Sequence, residues 1–261
     1  MPNLEIEYPE KPSKYSQKEW EARVNLAACY RLTDYYGWTS TVYNHITLRV
    51  PDTDTFLING FGLNYNEICA SNLVLVDLDG NKLSDDDFPI NKAGFIIHSA
   101  IHQARPKDLH CVMHSHEVNS QTLAASKSKL IPLTQEGCQL YERVGYHEFN
   151  GIVLNDEEKE KLINAIGNEK HTLLMRNHGL ITAGPTAAWA FIRHQHFIRN
   201  AEVQLKLMAS NAEMSIISDN ILKHTREQFE GGSAQAGAKV RHPEWPAFWR
   251  LLDTLDEKWK H

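Results

Sequence analysis

The stretch 111-CVMHSHEVNSQTLAA-125 decides how the rest of the chain reads. Its start is an apolar run of strand length, and Glu117 to Ala125 has the composition of a helix. A strand that feeds directly into a helix points to a layered α/β fold. Side chains at i and i+2 of a strand share a face, about 6–7 Å apart. His114 and His116 therefore aim the same way from the strand's end. Two imidazoles placed so can each reach a metal ion at about 2.0–2.1 Å. They can equally be a pair of solvent-facing histidines, and spacing alone does not choose.

Upstream, Ser16 and Glu19 fit a capping box opening a helix whose apolar residues Trp20, Val24, Ala27, Ala28 and Leu32 keep helical spacing up to Gly37. "HITLRVP", "TFLING" and "NLVLVDL" read as strands, the second leading into a loop that carries Asn59 and Gly60. "NKAGFIIHSAIHQA" reads as a helix stopped by Pro106. Downstream, "GIVLN" and "HTLLMRNHG" read as strands, "DEEKEKLINAIG" as a helix, and the segment after Pro185 as a long helix. Residues 126–150 read as irregular. "GGSAQAG" reads as a flexible break before a short aromatic helix. The expected organisation is an arm over 1–15, one α/β domain over 16–230, and a segment over 231–261 that docks on its own domain or on a neighbouring subunit.

The 261 residues carry a net charge of −6, with 42% hydrophobic and 23% charged residues. These proportions suit a soluble protein with a sizeable core. The acidic balance argues against nucleic acid as a partner, and no apolar run has the length of a membrane span. The four cysteines have no CxxC spacing and read as buried, reduced thiols, so the expected location is the cytoplasm.

A second strand end, in "LLMRNHGLITAG", offers His178 before a turn glycine. Three neutral histidines with an open position make a pattern for a catalytic metal. Two other pairs compete. His98 and His102 are i and i+4 on one helix face, where they could bind metal or simply form hydrogen bonds. His194 and His196 are about 200° apart on a helix and cannot share an ion.

With "AGFIIHSAIHQARP", "HCVMHSH" and "LLMRNHGLITAG" in this order, the chain resembles the class II aldolase/adducin family from about Val24 to about Ala209. The resemblance implies a three-layer α/β/α sandwich with a central mixed, largely antiparallel sheet. It also implies a homotetramer with sites at subunit interfaces, and a divalent metal on His114, His116 and His178. That metal is usually zinc, with manganese, iron or cobalt as alternatives. In the family's sugar-phosphate aldolases the metal is a Lewis acid that stabilises an enediolate. Those enzymes carry a "PSSE"-like stretch whose glutamate does acid–base work. Here that glutamate position falls on Gly94, and the serine positions on Lys92 and Ala93. The family's "GN" before the early strand is altered as well, to Asn44-His45.

The retained histidines favour an enzyme, and the altered surroundings favour a different substrate. Decarboxylation of a β-keto or hydroxy-aromatic acid needs no C–H proton removed first, so the missing glutamate favours decarboxylation or retro-aldol cleavage of a non-phosphorylated oxo- or hydroxy-acid. The expected function is therefore a metal-dependent carbon–carbon lyase acting on a small acid, in which the metal stabilises an enolate. A non-haem iron oxygenase and an adducin-like binding module with a vestigial site are the alternatives. Candidates for proton transfer are Glu136, Tyr141, Tyr146 and His45, and the segment that holds the first three reads as pocket lining. Candidates for substrate binding are Asn44, Asn59, Gly60, Lys92 and Arg250.

Overall fold

A computed structural model describes residues 5–151, 156–235, 242 and 244–261. The elements in chain order are α1 (Gln17–Tyr35), β1 (His45–Arg49), β2 (Thr55–Ile58), β3 (Val74–Asp77), α2 (Lys92–Ala104), β4 (Cys111–Ser115) and α3 (Val118–Ala125). They continue with β5 (Val144–His147), α4 (Asp156–Ile166), β6 (Thr172–Met175), β7 (Gly179–Gly184), α5 (Ala187–Ser210), α6 (Asp219–Gln235) and α7 (Trp245–Asp253). The seven strands form one mixed sheet in the order β3-β2-β1-β4-β7-β6-β5. Among the described residues, only β5 and β6 run parallel; the other neighbours are antiparallel.

Burial along the central strands is continuous. All five residues of β1 and all five of β4 are buried, as expected for a sheet covered on both faces. Consecutive residues of β4 show the two layers. Val112 packs with Ile97 and Ile101 of α2 and Leu162 of α4. Cys111 and Met113 pack with residues of α1, α3 and α5 on the opposite face. The fold is thus an α/β/α sandwich.

Local signals explain several boundaries. Ser16 Oγ accepts from Glu19 N at 3.1 Å, while the Glu19 carboxylate accepts from Arg23 Nε at 2.8 Å, so only half of the expected capping box forms. α2 stops two residues before Pro106, because a residue preceding proline is pushed out of the helical region. The aromatic α7 packs against its own domain. Trp245 Nε1 donates to Asn25 Oδ1 of α1 at 2.8 Å, and Phe248 meets Phe191 of α5 with ring centroids 5.3 Å apart.

Three elements differ from the sequence reading. β5 lies inside the segment read as irregular, β7 follows the His178 turn as a strand in its own right, and α6 covers 219–235. Helix α6 therefore continues through the first part of "GGSAQAG" and across the expected boundary at 231. Of the strand expected at "GIVLN", residues 152–155 lie outside the described residues. Among the four cysteines, none of which is paired, Cys69 is only half-buried.

Candidate metal centre

His114 lies buried near the end of β4, His116 follows directly after the strand and is half-exposed, and the tight β6–β7 turn carries His178, also half-exposed. The three rings converge, with centroids 4.8 Å (His114–His116), 4.7 Å (His114–His178) and 5.0 Å (His116–His178) apart. One nitrogen from each lies within 4.8 Å of the others. His114 Nδ1 donates to the Leu180 carbonyl at 3.0 Å, which leaves its Nε2 unprotonated in the neutral ring and 2.9 Å from His116 Nε2. An ion about 2.0–2.1 Å from each of two imidazole nitrogens holds them roughly 3 Å apart, so the donor spacing fits. Burial pushes all three pKa values down, His114 well below the usual imidazole range and His178 to about 4, with the neighbouring histidines adding to the effect on these two. Neutral rings keep the lone pairs that a divalent cation needs.

The turn is shaped for this convergence. Asn177 sits at φ 54°, a left-handed conformation that asparagine tolerates better than most residues. A Cβ on Gly179 would lie 2.4 Å from the Ser115 carbonyl oxygen, 3.0 Å from the His116 ring and 3.3 Å from the His114 ring. Only glycine lets β7 approach β4 closely enough for His178 to meet the other two. Gln121 of α3 donates to the His178 carbonyl at 3.0 Å and pins the turn from outside.

His45 lies beside the cluster. It is the register partner of His114 across β1–β4, with ring centroids 5.0 Å apart. A Cβ on Gly94 would fall 2.3 Å from His45 Cδ2 and Nε2, so the His45 ring fills the space that a side chain at 94 would need. The His98–His102 pair is engaged otherwise: both rings hydrogen-bond Thr47 Oγ1, at 2.7 and 2.8 Å. Thr47 carried no signal in the sequence, since its role depends on the packing of β1 against α2. His194 is fully buried between Ser115 and Thr182, and His196 reaches Gln139; both are structural.

The remaining candidates are placed elsewhere. Glu117 caps α3, its carboxylate accepting from Asn119 N and Ser120 N at 3.0 and 2.9 Å. Tyr146 faces the α1/α5 layer and accepts from Leu130 N at 2.9 Å. Tyr141 lies under Arg226 of α6, and Glu136 sits near His196 of α5. Asn59 Oδ1 accepts from the Tyr30 hydroxyl at 2.8 Å, and Gly60 makes room for Phe88. Asn44 is buried, with Nδ2 on the Trp38 carbonyl at 3.0 Å and Oδ1 unpartnered. Lys92 is exposed on the first turn of α2, and Arg250 is half-buried on α7. Of the four proton-transfer candidates, the fold sets only His45 against the histidine cluster.

Comparison with known proteins gives a consistent picture. Residues 24–205 match the signature of the Class II Aldolase and Adducin N-terminal domain. The crystal structure of an aldolase II superfamily protein from Pseudomonas syringae is similar, with a TM-score of 0.85 and 36% identity over 95% of this chain and 98% of that one. An L-fuculose 1-phosphate aldolase from Glaciozyma antarctica PI12 follows at 0.80 and 28%, covering 96% and 97%. Rattus norvegicus alpha-adducin is 35% identical over 92% of this chain, which spans 34% of the adducin.

Proposed function

The chain belongs to the class II aldolase and adducin family, and from that premise we propose that it is a divalent-metal-dependent carbon–carbon lyase, of aldolase or decarboxylase type. Its proposed substrate is a small non-phosphorylated oxo- or hydroxy-acid. The carrying observation is the intact, neutral cluster of His114, His116 and His178, built to converge by Gly179. Zinc suits three neutral imidazoles with an open position. When bound, it supplies a Lewis acid that polarises a carbonyl oxygen. Buried His114 forms the floor of the site, and half-exposed His116 and His178 leave one side open to a ligand.

The proposed reaction type is supported by what stands around the cluster. Position 94 is a glycine overlain by His45 and so supplies no carboxylate of its own to abstract a C–H proton. Decarboxylation and retro-aldol cleavage avoid that step. Lys92 and Ala93 bring none of the hydroxyls that would cradle a phosphate. The L-fuculose 1-phosphate aldolase thus lends this reading its reaction class and not its phosphate.

We further infer a homotetramer in the cytoplasm. Phe149, 54% exposed, lines a pocket together with His178, and Val118, 72% exposed, opens α3 two residues after His116; these exposed apolar side chains support a covering subunit there. No helix among the described residues is long and apolar enough to cross a membrane.

A panel of oxo- and hydroxy-acids, assayed for carbon dioxide and for carbonyl products, tests the reading. Turnover of at least one acid, abolished by a chelator and restored by zinc, is expected. Oxygen consumption that needs iron would replace the lyase with an oxygenase. No turnover together with an empty site would favour the binding module to which the adducin similarity points.

A further inference from the structure

Four buried side chains run in single file from a backbone carbonyl to the histidine cluster. His102 Nδ1 meets the Leu109 carbonyl at 3.0 Å. His102 Nε2 meets Thr47 Oγ1 at 2.8 Å, and Thr47 Oγ1 meets His98 Nδ1 at 2.7 Å. His98 Nε2 meets His45 Nδ1 at 2.8 Å. The three others are fully buried and His45 is 3% exposed.

The direction of the chain is fixed at its far end. A carbonyl oxygen only accepts, so His102 Nδ1 carries the proton. The neutral ring then has a bare Nε2, which must accept from the Thr47 hydroxyl. That hydroxyl has one proton and has given it, so Thr47 Oγ1 accepts from His98 Nδ1–H. His98 Nε2 is therefore bare and accepts from His45 Nδ1–H. Each assignment forces the next, and the last leaves His45 Nε2 without a proton. Reversing the sequence would need a charged His102, which burial, with Arg49 nearby, disfavours. His45 Nδ1 is engaged by His98, and His45 Nε2 has no hydrogen-bond partner among the described residues. Its ring stands over Gly94 and beside His114.

We propose that Thr47, His98 and His102 are positioning residues that lock His45 as the Nδ1–H tautomer, so that its bare Nε2 accepts a hydrogen bond from a hydroxyl group of the substrate. This makes His45 a specificity-determining residue for a hydroxy-acid over the same acid lacking the hydroxyl. The substrate half rests on the lyase reading; the tautomer lock does not.

Long-range 15N–1H correlation of 15N-histidine protein tests the lock without metal or turnover, with His45 assigned through His45→Phe. In metal-free wild type at neutral pH, His45 is expected as the Nδ1–H tautomer. In Thr47→Val, which removes the hydroxyl at nearly constant shape, the Nε2–H form is expected to appear. A wild-type His45 protonated on Nε2, or a Thr47→Val protein with unchanged tautomers, would overturn the lock. Glycolate and acetate then probe the recognition in zinc-loaded protein, since they differ by one hydroxyl. The glycolate preference should fall by roughly 3–10-fold in His45→Phe, the worth of one neutral hydrogen bond. An unchanged preference would overturn the recognition while leaving the tautomer result standing.

Discussion

At the scale of single residues, the proposed metal centre depends as much on an absent side chain as on the three present. Gly179 sits where a Cβ would run into the Ser115 carbonyl and two of the three rings. Gly179→Ala must push β7 away from β4. It should cost about 1–3 kcal/mol of stability through overpacking and lower metal content even though all three histidines remain. Chemical denaturation beside metal analysis of the same sample checks both effects. The histidines themselves were legible in the sequence, because strand alternation aligns His114 with His116 and a turn glycine marks His178. The pairing of His45 with His114 was not, because register across two distant strands is set by the whole sheet. The His98–His102 pair shows the same limit. Its helical spacing allowed a metal or hydrogen bonds, and only Thr47 on a packed strand decides for hydrogen bonds.

Among the elements, α7 illustrates how a tail becomes part of the core. Trp249 stacks edge-on against Tyr8 at 5.2 Å and Trp259 at 4.9 Å, and is 4% exposed. Trp249→Ala should destabilise the chain by about 3–5 kcal/mol, as for other buried tryptophans, and leave metal content per folded chain unchanged. Thermal melting with metal analysis separates a structural staple from a site component. The aromatic pattern of α7 was visible in the sequence, and so was the apolar content that requires it to dock. β5 and β7 were harder to see. "GLITAG" has glycine at both ends, which weakens any strand signal, and "VGYH" is four residues long inside a polar stretch. α6 was hidden by its own composition, since polar and glycine-bearing residues over 219–235 resemble a linker until the helix is seen packed, with Arg226 reaching the Tyr141 carbonyl.

For the molecule as a whole, the burial of many neutral histidines dictates the response to acid. Burial lowers His102 and His194 to about 3 and His196 to about 4, whereas an unfolded histidine titrates near 6.5. Between those values the unfolded chain binds more protons than the folded one, so stability falls as pH falls below about 6.5. At about pH 5 each such histidine removes roughly 2 kcal/mol. Several together approach the 5–15 kcal/mol that holds a typical domain folded. The metal-free protein should therefore melt at a nearly constant temperature between about pH 7 and 8 and lose tens of degrees by about pH 5. A flat profile over that range would mean that these rings are not held neutral. The layered fold behind this burial could be read from the alternation of strands and helices, whereas which histidines it seals could not, because that depends on which face each element turns inward.

The central proposal is that His114, His116 and His178 are the ligands of a functional divalent metal. Metal analysis of untagged protein, compared with His114→Ala and His178→Ala, tests it most directly. The account predicts one zinc per wild-type chain and near-complete loss in either variant, with the variants still folded. Wild-type protein that stays metal-free after incubation with zinc, or variants that hold zinc as well as the wild type, would contradict it.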